Sequence, residues 1–269
     1  MRRLQSRDNP QYRRIARVAS SARERRNQGS ILLDGPHLVD AYLSAFGTAG
    51  VTLIVREHAA DDAETRALMA RVDAEHSLTM TDRLFDALSP VDTPTGIMAV
   101  ARRPDALPAI HPEGFTVLLD GIQDPGNLGA ILRSAAAAGC REAYLTSACA
   151  DPWSPRCLRG GMGAQFVLPI HTRQSLREVA QAFRGQVVAA AAAGESELFD
   201  VSLPAQCAFV IGAEGKGVSS ELLACAGARV RIPMARGIES LNAASAATLL
   251  FYEWARRHRA HSAVCAPHT

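Results

Sequence analysis

Residues 209–220 read Phe-Val-Ile-Gly-Ala-Glu-Gly-Lys-Gly-Val-Ser-Ser. An apolar run reaches glycines at 212, 215 and 217, and Ser219 or Ser220 is placed to cap a helix, so the stretch spells a strand, a tight loop and a helix start. Glycine accepts positive φ and lets main chain approach a ligand, so such a loop can cradle a cofactor through backbone groups. It is not a P-loop, because Gly217 stands where Ser or Thr should follow Gly215-Lys216, and Val210 stands at the first glycine position. Nor is it a dinucleotide fingerprint: Ser220 occupies the third glycine position, and the acid required about 20 residues on is at best Glu239, in another loop. Without a ligand the same residues describe a sharp strand-to-helix turn.

A second chemistry is written in the charge distribution. Net charge is only +2, but nine arginines (2, 3, 7, 13, 14, 17, 23, 25, 26) fall within the first 26 residues against two acids, Asp8 and Glu24. Pro10 suits a helix start, and Ile15, Val18 and Ala22 make an apolar stripe that leaves arginines on the remaining face. Either this is a solvated helix in an arginine-biased protein, or it is a phosphate-binding arm for nucleic acid. The six cysteines show no Cys-x-x-Cys pair and no zinc-type spacing, so reduced, buried thiols and no metal site are expected.

The chain is 48% apolar and 21% charged, which describes a globular protein, and 269 residues suffice for two domains. No stretch approaches the roughly 18 uncharged apolar residues of a membrane span, and the basic start lacks the apolar core of a signal peptide. A cytoplasmic protein without membrane association is expected. Over residues 1–103 the pattern alternates: strand 31–33, helix 36–46, strand 51–55, helix 62–76, strand 78–80, helix 82–88 and strand 97–101, a small α/β domain. Prolines 104, 108 and 112 punctuate a linker over 104–114.

The second domain, 115–259, opens with strand 115–119. Asn127 is placed to cap the next helix, which carries Leu128, Ile131, Leu132 and Ala135 on one face and Arg133 on another. Strands are expected at 143–146, 166–168, 187–192, 209–211 and 230–232, with a helix over 176–183. A loop with Pro152 and Pro155 leads to glycines 160, 161 and 163. Ser240 or Asn242 caps a final helix to about His258, whose Leu241, Thr248, Phe251, Tyr252 and Trp254 give it an apolar surface suited to the sheet on one side and a second subunit on the other. Residues 260–269 read as a tail.

Three stretches, in order, resemble the signature motifs of the SpoU (TrmH-like) family of RNA 2′-O-ribose methyltransferases, in the SPOUT class. They are Leu119 to Arg133 (LDGIQDPGNLGAILR), Val210 to Gly217 (VIGAEGKG), and Ile232-Pro-Met followed by Ser240 to Ala247 (SLNAASAA). The first hundred residues are similar, more loosely, to the N-terminal substrate-binding domain of rRNA-directed members, through Ser6-x-x-Asn9-Pro10, the arginine helix and Ile31-Leu-Leu-Asp-Gly-Pro-His-Leu38. One departure stands out: Arg159-Gly-Gly-Met-Gly-Ala164 replaces a frequent Arg-Ala-Ser-x-Gly-Ala, and the extra glycines are expected to loosen that loop.

The resemblance implies a C-terminal parallel sheet with helices on both faces and a deep trefoil knot, which no pattern argument would propose. It implies S-adenosylmethionine held by Gly212, Ile232 and Leu241, with Ala213, Met234 and Asn242 behind them. It further implies a homodimer and an RNA substrate, rRNA ahead of tRNA, gripped by Arg13, Arg14, Arg17, Arg23, Arg25 and Arg26. Asn127, Arg133, Glu214, Ser240 and Asn242 are the implied catalytic set. Methyl transfer to an alcohol is an in-line displacement that needs orientation, water exclusion and a route for one proton, and no metal. A tRNA substrate and a non-catalytic RNA-binding assembly factor stay open as alternatives.

Overall fold

A computed structural model describes residues 2–91, 93–105, 107 and 114–258; most of the expected linker and the whole expected tail lie outside the described residues. Contacts divide the chain into two compact units, Met1–Ala106 with Asp151–Phe166, and Leu107–Ala150 with Val167–Thr269.

In the first unit, β1 (Arg2–Leu4), β2 (Ser30–Asp34), β3 (Thr52–Arg56), β4 (Ser77–Met80) and β5 (Ile97–Arg102) form a sheet in the order β1-β4-β3-β5-β2. Strand β5 runs antiparallel to β2 and β3, and the other pairs are parallel. One face carries Tyr12, Ile15 and Val18 of α1 (Pro10–Ser20). The basic stretch is not one helix. Ser21 is extended, ends α1 and accepts from the Glu24 amide at 3.3 Å to cap α2 (Ala22–Gln28). The other face carries α3 (Pro36–Phe46), with α4 (Ala63–Met69) beside it, while α5 (Asp82–Asp86) joins the α1 side. Helix α4 is shorter than the expected 62–76.

Residues 151–166, expected inside the second domain, pack in the first unit. The loop expected there is partly helix, α7 (Pro155–Gly161), with Ser154 accepting from the Cys157 amide and Pro155 at the first turn. Edge strand β2 is buried throughout because α2 and α7 cover it. Arg159 donates to the fully buried Asp34 carboxylate at 2.8 Å. Gly161 is closely packed here: a Cβ on it would lie 2.2 Å from the Gln165 amide oxygen. Gln165 is wholly buried, and its amide donates to the Pro152 and Cys157 carbonyls.

The second unit is built on β6 (Thr116–Asp120), β7 (Glu142–Leu145), β8 (Ile170–Thr172), β9 (Gln186–Ala190), β10 (Ser196–Glu197), β11 (Cys207–Gly212) and β12 (Ala228–Arg231), in the order β10-β12-β9-β11-β6-β7-β8. Every pair is parallel. The strand expected at 166–168 lies at β8 instead, and the two-residue β10 was not expected. Leu118, Val210 and Ala208 face α8 (Leu176–Ala182) and α9 (Ser220–Cys225). On the opposite face Phe115, Phe209, Phe251 and Trp254 form an aromatic cluster with centroids 5.0–5.9 Å apart. That cluster seats α10 (Ala243–His258), which packs along α6 (Pro125–Ala138) and reaches it through Thr248 Oγ1 to Ser134 Oγ at 2.7 Å. Phe251 and Trp254 are therefore core rather than surface, while Leu249 and Tyr252 of α10 and Leu241 just before it are exposed.

The end of α10 also clamps the loop before β11. Arg257 and His258 bond to the Val201, Phe199 and Leu203 carbonyls. Glu253, 7% exposed, accepts from Arg256 and Arg257. Hydrogen bonds from Arg256, ahead of those from Arg257, hold the Glu253 carboxyl down at about 2, against an ordinary 4.5. A depressed acid stabilises the fold above its unfolded pKa, and that stability is lost as pH falls through the folded value. Urea midpoints measured from pH 5 down to pH 2 are expected to fall less steeply in Glu253→Gln than in the parent; parallel curves would remove this role.

Candidate active site

In a parallel sheet the carboxyl ends of neighbouring strands open on one edge, where ligands of open α/β sheets bind. The ends of β6, β11, β9 and β12, adjacent in that order, carry the three stretches singled out in the sequence. Gly212 ends β11 and Ile232 follows β12, strands two apart in the sheet, about 10 Å at the usual strand spacing.

The start of α6 corrects an expectation. Asp124, not Asn127, is the N-cap: its Oδ1 accepts from the Asn127 amide at 2.8 Å, and Pro125 occupies the first helical position. The Asn127 side chain is thereby released from capping. Its Nδ2 donates to Glu214 Oε1, and its Oδ1 accepts from Asn242 Nδ2 at 3.0 Å. Asn242 is the cap of α10, accepting on Oδ1 from the Ala244 and Ser245 amides at 2.9 and 3.3 Å.

These bonds have a direction. The helix start needs an acceptor, which commits Asn242 Oδ1 to the cap and its Nδ2 to Asn127. Asn127 must then accept on oxygen and donate on nitrogen, so it presents a donor to Glu214. A helix terminus thus sets the hydrogen-bonding role of a side chain two residues along the relay.

The Glu214 loop is closed by Gly217 N donating to Ala213 O at 2.8 Å, with Gly215 and Gly217 at φ +78° and +68°. Gly212 is demanded by crowding: a Cβ there would lie 2.1 Å from the Gly217 carbonyl carbon. Two positioning contacts were not foreseen. Asp120 Oδ2 accepts from the Ser219 amide at 3.1 Å, and Thr146 Oγ1 accepts from Gly121 N at 3.0 Å. Asp120 lies within the first motif, so a signal existed; Thr146 follows a different strand, β7, and gave none. Ser219, rather than Ser220, stands at the N-cap position of α9, and its side chain makes no capping bond.

From Ile232 to Leu241 the chain is open. Among the described residues one backbone hydrogen bond lies inside it, closing a turn from Ala235 to Ile238. Ile232, Met234 and Ala213 are half-buried, and Leu241 and Ser240 are exposed. Neither Ser240 nor Arg133 joins the relay. Arg133 is exposed, with no hydrogen bond or ion pair among the described residues. It lies six residues beyond Asn127 on α6, about 9 Å along the axis and about 120° round it.

Of the arginines expected on RNA, Arg13, Arg14, Arg17, Arg23 and Arg26 are exposed. Arg13 pairs with Asp8 and Arg14 with Gln28. Arg25 is a correction: it is 4% exposed, bonds to Asp151 at 2.8 Å and donates to the Val18 and Ala19 carbonyls. It locks α1, α2 and the 151–166 segment together and offers no charge to a ligand.

Residues 114–252 match the sequence profile described as the SpoU rRNA Methylase family. The chain is 30% identical over 268 residues to an uncharacterized tRNA/rRNA methyltransferase of Synechocystis, covering 96% of this chain and 95% of that protein. It is 30% identical over 233 residues to RlmP of Bacillus subtilis, a 23S rRNA guanosine 2′-O-methyltransferase, covering 86% of this chain and 90% of that one. Its fold superposes on the SpoU methyltransferase AviRb of Streptomyces viridochromogenes, solved with AdoMet, with a TM-score of 0.82, 26% identity, and coverage of 94% and 99%.

Two outcomes are expected from the local packing. Gly212→Ala should destabilise the protein by about 1–3 kcal/mol through overpacking, read as a lower urea midpoint; an unshifted midpoint would contradict the crowding. Arg25→Ala should lower unfolding free energy by about 3 kcal/mol, because it orphans the partly buried Asp151 carboxylate and the Val18 and Ala19 carbonyls together. Arg23→Ala and Arg26→Ala should leave it within about 0.5 kcal/mol; equal losses in all three would count against the buried role of Arg25.

Proposed function

Because the chain belongs to the SpoU rRNA methylase family, we propose that it transfers a methyl group from S-adenosylmethionine to a ribose 2′-hydroxyl of ribosomal RNA. The observation that carries this reading is the relay from Asn242 through Asn127 to Glu214, which ties one residue from each of three separated stretches to its neighbour in an ordered chain of donors and acceptors. Ribosomal RNA is favoured over transfer RNA because RlmP, similar over most of its length, is named for a 23S rRNA guanosine. No described helix is long and apolar enough to cross a membrane, in keeping with a cytoplasmic role.

The residues present suit the cofactor, whose polar groups call for backbone donors and acceptors. Gly212 brings β11 to a close-packed turn without a side chain, and the 232–241 segment leaves most of its amides and carbonyls unpaired within itself. Gly212, Ile232 and Leu241 would hold it through main chain, with Ala213, Met234 and Asn242 alongside. When bound, S-adenosylmethionine supplies the activated methyl. The threading of this half into a trefoil knot belongs to the same proposal, supported by the likeness to AviRb.

Glu214, committed on one oxygen to Asn127, keeps the other for a ribose hydroxyl and orients the sugar. Ser240 stands beside the Asn242 cap and serves the nucleotide. Arg133 faces away from its own chain's relay, and exposed Leu249 and Tyr252 mark α10, packed along the same helix, for burial. We read this as a homodimer that brings Arg133 of one protomer to the site of its partner. A guanidinium holds its proton beyond pH ~12, so Arg133 clamps a phosphate and stabilises charge developing on the 2′-oxygen rather than acting as a base.

Calorimetric titration with S-adenosylmethionine should show saturable binding, and rRNA transcribed in vitro should gain 2′-O-methyl groups that map to a defined nucleotide. Failure of the full chain to bind the donor at millimolar concentration would end the proposal. Asn127→Ala should lower kcat about 10²-fold by misplacing Glu214. Arg133→Lys should lose turnover at unchanged RNA affinity; near-full turnover would remove the clamp.

A further inference from the structure

Of the 29 basic side chains in this protein a single one is a lysine, Lys216, and it stands two residues from Glu214. The loop around it is bare. Gly215 and Gly217 flank it at positive φ, and a Cβ on either would meet nothing within 4 Å. Those glycines serve backbone conformation, and their lack of side chains leaves the apex open to a large ligand. The frame is nevertheless fixed: Gly217 N donates to Ala213 O, Gly212 packs on Gly217, and Asp120 holds the Ser219 amide.

Neighbouring acids are already engaged. Glu214 accepts from Asn127, Asp120 from Ser219 N, and Glu221 pairs with Arg177 at 3.4 Å. Lys216 is exposed and has no hydrogen bond or ion pair among the described residues. A fixed, glycine-flanked loop thus presents one ammonium that has no direct partner among the described residues, next to the acid that would orient the target sugar.

We infer that Lys216 binds the phosphodiester on the 3′ side of the ribose to be methylated, a positioning residue for the RNA. The 3′-oxygen carrying that phosphate is vicinal to the 2′-hydroxyl, so a group oriented by Glu214 brings its phosphate to the same loop. Two Cα steps separate Glu214 from Lys216, at most about 7 Å. Lysine suits the task because a compact charge on a flexible stem meets a phosphate from many directions, whereas a guanidinium fork requires one geometry. Such a contact is blind to the base and grips any nucleotide placed at the relay; the choice of nucleotide rests on other residues. This inference deepens the proposed function and rests on it for the identity of the sugar.

Because Lys216 carries the only side-chain primary amine, acetylation of the full-length protein by sulfo-N-hydroxysuccinimide acetate, read by peptide mass mapping, reports on it directly. Unmodified rRNA transcribed in vitro is expected to protect Lys216 several-fold without cofactor, and S-adenosylmethionine alone is expected not to. In methyl-transfer assays Lys216→Ala should raise KM for that RNA about tenfold with kcat little changed. It should also reduce the log–log salt slope of RNA binding by about one, and Lys216→Arg should recover part of the affinity. An unchanged KM and salt slope, or protection by S-adenosylmethionine alone, would overturn the inference. RNA protection is read without turnover, so a protein that binds RNA at Lys216 yet takes no methyl donor would defeat the methyl-transfer reading and leave this contact standing.

Discussion

A single carboxamide, Asn127, holds hydrogen bonds to both Glu214 and Asn242, and the arrangement of the site depends on it. An asparagine can donate on one side and accept on the other, which neither aspartate nor lysine can do while ionised. That polarity is imposed from the far end, because the first amides of α10 require an acceptor and Asn242 supplies it. Helix capping, ordinarily a contribution of about 1 kcal/mol to stability, here also settles which way a site residue faces.

The relay can form only because β6 and β11 are adjacent and parallel, so that the turn into α6 and the loop after β11 leave the sheet at the same edge. Both strands are buried on two faces, by α8 and α9 on one side and by the aromatic cluster under α10 on the other. Burial of this kind makes register costly to alter. The loop positions thus inherit the rigidity of the core, and Gly212, hard against Gly217, marks where that rigidity passes into the site.

Arginine does two kinds of work in the first unit. Arg25 and Arg159 tie the 151–166 segment to α2 and β2 through Asp151 and Asp34, the latter with its side chain wholly buried. Burial pushes the Asp34 carboxyl upward and the Arg159 guanidinium opposes the shift, the balance of a desolvated ion pair. Arg17, Arg23 and Arg26, a few residues from Arg25, stay exposed and carry the field an anionic ligand would meet. A basic segment that reads as one electrostatic patch is in fact split between structural pins and surface charge.

Much of the second unit was legible from local order in the chain. The apolar runs of β6, β9 and β11, the glycine turn at 212–217 and the long final helix each follow from residue type and spacing, and the three motifs name Asn127, Glu214 and Asn242 together. Even the Asp124 cap had its signal in Pro125, which fits the first helical turn and puts the cap three residues before Asn127. Only tertiary structure decided which arginine is buried, since Arg25 and Asp151 are 126 positions apart and no periodicity links them. It alone placed residues 151–166 in the first unit, located the pairing strand at 170–172 rather than 166–168, and turned Phe251 and Trp254 inward while leaving Tyr252 outside. Each is a choice among partners of equal local propensity. Such choices are settled by which surfaces meet across the fold, and residue order along the chain does not contain that meeting.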